Sequence, residues 1–218
     1  MKTLVFLFLF SIITNSFSQD NQNSTMFSNF NLSILGGVNF KTVPDVGGTL
    51  QLEGKTNITS EINLNLSVGY SSMYEDKEYM IKSYSYFNIN NTEGYQLNTY
   101  SINKIEYSVV PVNLGIEYVL REDNLSPFGI LEIGYSFYSS QEQVVKSTGG
   151  EVFYNKNEIP VEYLNSAPKT IDGSSFGLGL GLGIKYKISP SFNINIRYVY
   201  RYNKSIIHTN QILLGITF

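Results

Sequence analysis

The chain has 218 residues, of which 42% are hydrophobic, 14% aromatic and only 15% charged. Lys and Arg number 15 against 18 Asp and Glu, a formal charge of −3 that argues against a basic nucleic-acid binder, while the hydrophobic content excludes a disordered chain. There is no Cys and a single His, so disulfides, thiolate chemistry and multi-histidine metal sites are excluded, and no cofactor is expected.

Met1-Lys2 gives a short positive start, Leu4 to Phe10 is continuously apolar, and Ser16-Phe17-Ser18 places small residues before Gln19. That layout predicts a cleavable export signal over residues 1–18. The apolar run is about half the ~20 residues a spanning helix needs. Cleavage before Gln19 removes one Lys and leaves 14 basic against 18 acidic groups, or −4, on a mature chain of residues 19–218. No later stretch is apolar enough for a membrane helix, so the exported chain is either soluble or a β-barrel.

From there the hydrophobic pattern has period two, the strand period. Residues 29–40 place Phe30, Leu32, Ile34, Val38 and Phe40 on one side, and residues 48–55 set Leu50 and Leu52 opposite Thr49, Gln51, Glu53 and Lys55. Residues 62–74 alternate Ile62, Leu64, Leu66, Val68, Tyr70 and Tyr74 against Asn, Ser and Gly. Residues 104–120 run Ile105, Tyr107, Val109 and then Val110, Val112, Leu114, Ile116, Tyr118. This change of frame at Val109-Val110-Pro111 predicts a bulge, because Pro cannot donate to a ladder. Residues 127–138, 176–188, 192–203 and 210–218 complete a set of eight strands. Among them, Leu178, Leu180 and Leu182 stand opposite a ladder of Gly177, Gly179, Gly181 and Gly183. That ladder lacks the third Gly and the following helix of a nucleotide fingerprint, and reads as room for Arg197 or Glu132 from neighbouring strands.

The connections sort by end. Short turns follow the second, fourth and sixth strands, and the long gaps, residues 75–103 and 139–172, lie at the opposite end. An all-β, eight-stranded antiparallel up-and-down transmembrane β-barrel has this asymmetry, with tight periplasmic turns and longer outer loops. The face rich in Leu, Ile, Phe and Tyr is assigned to lipid, because an eight-stranded barrel leaves inside it only the room that side chains fill. A lipocalin-like barrel with the apolar face inward is the rival.

Residues 174–205, SSFGLGLGLGIKYKISPSFNINIRYVYRYNKS, resemble the penultimate hairpin of the PorT-like outer-membrane β-barrel proteins, with Phe176, Gly177, Gly181, Gly183, Tyr186, Arg197 and Tyr198 on its pattern. Residues 105–118 resemble another strand of that family loosely, since Gly115 and Ile116 stand where Lys and Tyr are usual. The terminal QILLGITF, through Ile212, Leu214, Ile216 and Phe218, resembles the end signal read by the outer-membrane insertion machinery. The resemblance implies a small barrel of the bacterial outer membrane, with membrane lipid and another surface or secretion protein as partners. It implies little about activity, since members of the fold differ in role.

Charges with inward parity are Glu53, Lys55, Glu117, Glu132, Lys185, Lys187, Arg197 and Arg201. Enclosed charges are costly unless paired, so acid–base pairs across the lumen are expected. They form either a narrow polar conduit or a solid plug, and the plug suits the limited room. His208 is the one candidate for a lipid-acting barrel enzyme, and no Ser or acid partner is identifiable for it in the sequence. Glu75-Asp76-Lys77-Glu78 reads as a solvated run or a divalent-cation bridge to surface lipid. Residues 75–103 carry Tyr79, Tyr84, Tyr86, Phe87, Tyr95 and Tyr100 among Ser and Asn, a composition used by binding surfaces. The same alternation equally reads as a hairpin continuing above the membrane. The function expected is a non-enzymatic surface-interaction or structural role through the outer loops. A secretion accessory, a small channel or a lipid enzyme are the alternatives.

Overall fold

A computed structural model describes residues 30–41, 45–121, 123–164, 167–189, 192–206 and 208–218, so the predicted signal at 1–18 lies outside the described residues. The eight strands are β1 (Phe30–Phe40), β2 (Val46–Asn57), β3 (Ile62–Ile89), β4 (Thr92–Val119), β5 (Leu125–Phe153), β6 (Thr170–Ser189), β7 (Phe192–Asn203) and β8 (Thr209–Thr217). Each pairs antiparallel with its sequence neighbour, and β1 pairs with β8 to close the barrel. The closure runs from Ser33 opposite Thr217 to Phe40 opposite Asn210. It is extended by reciprocal main-chain bonds, Phe218 N–H to the Leu32 carbonyl at 2.9 Å and Leu32 N–H to Phe218 at 3.1 Å.

Alternation decides which side chains face out. On β4, Leu114, Ile116 and Tyr118 are exposed while Asn113, Gly115 and Glu117, at the alternate positions, are buried. On β6, Leu178, Leu180, Leu182 and Ile184 are exposed, and on β8 so are Ile212 and Leu214. The result is a continuous outer belt of aliphatic side chains, edged by Tyr70, Tyr118, Tyr135, Phe137, Tyr186, Tyr198 and Tyr200. A patch of that extent is not sustained in water. It matches the apolar band with aromatic girdles of a membrane barrel. The interior holds Ser33, Asn39, Gln51, Glu53, Asn65, Ser67, Glu117 and Glu132, with a few apolar fillers such as Leu35, Ile130, Val199 and Leu213.

Two expectations change. The bulge at Val109–Pro111 is not formed: Val109, Val110 and Pro111 pair in unbroken register with Tyr138, Phe137 and Ser136. Val110 alone continues the outer face. Val109 turns inward and packs with Met73 and Ile206 against Tyr107 and Tyr138, an apolar lid inside the long-strand end of the barrel. The apolar run thus marks a change of surroundings along one face, not a change of frame. Second, residues 75–103 are strand. β3 and β4 contain 28 residues each, and they turn through Asn90 and Asn91, both with positive φ (51° and 62°). Two such residues make the tight hairpin turn whose twist matches its strands, and Asn tolerates that conformation. β5 likewise runs on to Phe153, which takes up much of the predicted gap at 139–172. Since about 9–11 residues cross a bilayer, the upper halves of β3, β4 and β5 form an arm beyond the barrel rim. The register slips between Asp76 and Tyr79, and again near Ile102, re-aim its side chains.

The outward assignment predicts the effect of one charge. Leu180 is 64% exposed at the middle of the belt. Leu180→Arg should destabilise the membrane-inserted barrel by about 2–4 kcal/mol, measured by reversible urea unfolding in phospholipid vesicles. Wild-type stability for this variant would contradict the outward orientation.

Candidate functional site

The lumen holds two charged clusters. In the first, Lys55 Nζ lies 2.6 Å from Glu117 and 3.3 Å from Glu53, tying β2 to β4 across the intervening β3. Glu117 also takes the ammonium of Lys185 and, at 2.8 Å, the amide of Asn63. Arg197 donates to Glu53 at 2.7 Å and to Gln51 at 3.1 Å. Phe128 lies beneath both lysines, its ring centroid 5.1 Å from Lys185 Nζ and 5.9 Å from Lys55 Nζ. The second cluster is Arg201 on Glu132 at 2.8 Å. Seven of the eight charges with inward parity are therefore brought together inside the barrel. Lys187 is not: it is exposed, at the mouth framed by the short turns.

Small residues make this packing possible, with one difference from the expected occupants. A Cβ on Gly179 would meet Glu132 Oε2 at 2.9 Å, so that position does leave room for Glu132. At Gly183 the space is filled by the Phe128 ring, not by Arg197. Gln51, Asn63 and Phe128 complete the network without having stood out in the sequence. Their inward parity was readable, but amides and one ring carry no signal of which charge they will meet. Inward hydroxyls on neighbouring strands are hydrogen-bonded, Ser33 with Thr217 at 2.8 Å and Thr49 with Ser71 at 2.7 Å. Beyond them the Met73–Val109–Ile206 lid closes the long-strand end.

On that rim, Glu75 pairs with Lys41 at 3.0 Å and accepts from Tyr107 at 3.3 Å. Tyr107 lies beyond the belt that begins at Val110. Its burial, reinforced by the Glu75 carboxylate, pushes its phenol up to about 12. Among the described residues no group of acids or His is placed to hold a metal ion, so the 75–78 run does not assemble a cation site there.

The six aromatic candidates lie on the arm. Tyr84, Tyr86 and Tyr95 form a cluster with centroid separations of 5.6 Å. Tyr79 donates to Glu142 at 2.6 Å, and burial together with that carboxylate raises its phenol above the ordinary range. Phe87 packs beside Gly94, and Tyr100 is half-buried in the β4 ladder. The segment returning from β5 crosses to the other side of the arm. There Glu162 meets Lys82 at 2.7 Å, and Tyr163 and Tyr84 lie under Lys82 and Lys156. His208 stacks on Tyr202 at 4.5 Å and its Nδ1 accepts from Asn203 N–H at 3.2 Å, a structural use of the ring.

At the C-terminal strand Ile212, Leu214 and Phe218 face outward and Ile216 is half-buried, with the Phe218 ring 5.6 Å from Phe192.

Residues 4–218 match the family model described as outer membrane protein beta-barrel domain. The crystal structure of Neisserial surface protein A aligns with a TM-score of 0.50 at 10% identity, covering 86% of this chain and 95% of that one. The N-terminal β-barrel domain of Pseudomonas aeruginosa OprF aligns at 0.46 and 13% identity, over 89% and 98% of the two chains. Ail, the attachment invasion locus protein of Yersinia pestis, aligns at 0.43 and 11% identity, over 87% and 96%. No curated protein sequence matches the chain. At 10% identity the likeness to Neisserial surface protein A is one of fold alone.

Glu117 is fully buried between two ammonium groups. Glu117→Ala should cost about 3–5 kcal/mol by leaving Lys55 and Lys185 without their shared counter-charge, read as a lowered urea midpoint of the refolded barrel. An unchanged midpoint would remove the cluster from the stability account. With the charged clusters and the lid filling the lumen, planar-bilayer recordings of the purified protein should stay silent. Reproducible unitary steps would show the lumen to be open.

Proposed function

The chain belongs to the outer membrane protein beta-barrel domain family, and from that premise we propose that it is a non-enzymatic surface-contact protein whose working part is the arm of β3, β4 and β5. In this reading residues 1–18 direct export and are removed. The short turns face the periplasm and the arm projects outside the cell. The observation that carries it is the length of the three strands, 28, 28 and 29 residues, far more than a bilayer uses. A barrel needing only to insert has no use for that excess. An ordered arm loses less entropy on binding than a floppy loop. It offers Met80, Tyr86, Val145 and Val152 exposed. Among the described residues beyond Gln141, where β6 begins to pair, β5 is ladder-paired along β4 only, apart from the bonds of Glu142 with Lys169. An open edge of this kind is a template for an extended partner segment.

The likeness of residues 174–205 to PorT-like proteins favours a second reading, in which the partner is a component of a protein secretion system. Both readings place the contact on the arm and leave His208 to its structural role.

Deleting residues 75–103 tests the proposal. The shortened chain should still insert, shown by its heat-modifiable migration in gels. A photo-crosslinking residue at position 145, which gives a discrete protein adduct in cells carrying the full chain, should give none in the deletion. An undiminished adduct, or no adduct in either chain, would refute the arm as the contact surface.

A further inference from the structure

The mouth framed by the short turns opens into a vestibule of about 1410 Å³. Asn31, Asn57, Asn63 and Asn193 line it together with Lys55, Lys185 and Lys187, set among apolar residues such as Phe30, Val119 and Phe218. The vestibule has its own charge balance. Behind it, Lys55, Lys185 and Arg197 share only two carboxylates, Glu53 and Glu117. The other cluster, Arg201 with Glu132, is a closed pair. Four cations therefore face three carboxylates in the lumen, and one positive charge is left over. At the mouth Lys187 forms no ion pair among the described residues, Arg121 and Asp123 pair with each other, and Glu61 in the turn before β3 is a further acid at this end.

The position of Lys185 makes the excess usable. Glu117, the acid it touches, is already engaged by Lys55 and Asn63. An ammonium has three donors, and the side chain of Lys185 keeps 18% of its surface open. Lys187 is two residues along the same strand on the same face, so the two side chains leave the backbone about 7 Å apart. Two ammonium groups at that spacing, at the mouth of a polar cavity with low-dielectric walls, concentrate anions.

We propose that this vestibule is an oxyanion site in which Lys185 and Lys187 hold the carboxylate or phosphate of a soluble ligand and the wall asparagines receive its polar remainder. On the orientation adopted above, the ligand is periplasmic. The site itself does not depend on what the arm contacts, and its failure would leave that reading intact.

The test uses the full mature chain, refolded in a non-ionic detergent and titrated with inorganic phosphate at constant ionic strength. Backbone amide resonances of residues 183–189 and 193 report the site. They should shift saturably. Lys187→Gln should weaken the fitted affinity about fivefold and Lys185→Gln about tenfold or more. Lys82→Gln, on the arm, should change nothing. If Lys185→Gln does not fold, Lys187→Gln alone decides. Shifts that never saturate, or that are indifferent to Lys187→Gln, overturn the proposal. A second arm separates a soluble anion from a lipid headgroup. In phosphate-free nanodiscs, replacing phosphatidylcholine by phosphatidylglycerol should leave the same resonances in place, and movement there would overturn the soluble ligand.

Discussion

A strand surrounded by hydrocarbon cannot leave its N–H and C=O groups without partners, and the architecture follows from that one restriction. Eight strands meet it by closing, β1 on β8, so that no ladder has an edge at membrane depth. Once the ladder is closed, the pleat sends alternate side chains to two solvents, hydrocarbon outside and a small enclosed volume inside. The Leu-rich face of β6 and its glycine-rich face are two consequences of the same closure. The terminal residues take part directly, since Phe218 and Leu32 exchange the last main-chain bonds of the seam.

The enclosed volume then has to be filled, and the filling explains why the interior is charged yet solid. Arg197 reaches across to strand β2 and finds Glu53, while Glu117 gathers one ammonium from β2 and another from β6. Low dielectric strengthens these contacts and penalises any that lose a partner. Gly179 and Gly183 supply the room for Glu132 and for the Phe128 ring that faces both lysines. A lumen packed this way leaves little for transport.

The membrane-spanning half of this was written in the sequence because its period is strict: Ile62 to Tyr70 and Phe192 to Tyr202 could be assigned to faces residue by residue. Three things were not legible there. The arm looked like loop because Tyr84-Ser85-Tyr86 is equally a strand and a binding surface. Its decisive signal was the Asn90-Asn91 turn, where both residues take positive φ. Val109 looked like an outward residue because a mouth lid and a lipid belt use the same apolar side chains. The pairing inside the lumen was beyond reach because it depends on register: Lys55 and Lys185 lie 62 and 68 residues from the Glu117 they share. Parity told which charges point inward. Only the stagger of the strands told which of them meet, and that Lys187 falls outside.

The inside-out arrangement is open to a direct optical measurement, because the chain contains no Trp. Single Trp residues introduced at Leu114, Leu180 and Leu214 in turn would report on the belt, and one at Met80 on the arm. With the protein reconstituted into vesicles of acyl-brominated lipid, fluorescence at the three belt positions should be strongly quenched and that at Met80 should not. Belt positions that escape the bromines, in a protein that stays in solution without detergent, would contradict the account at its root.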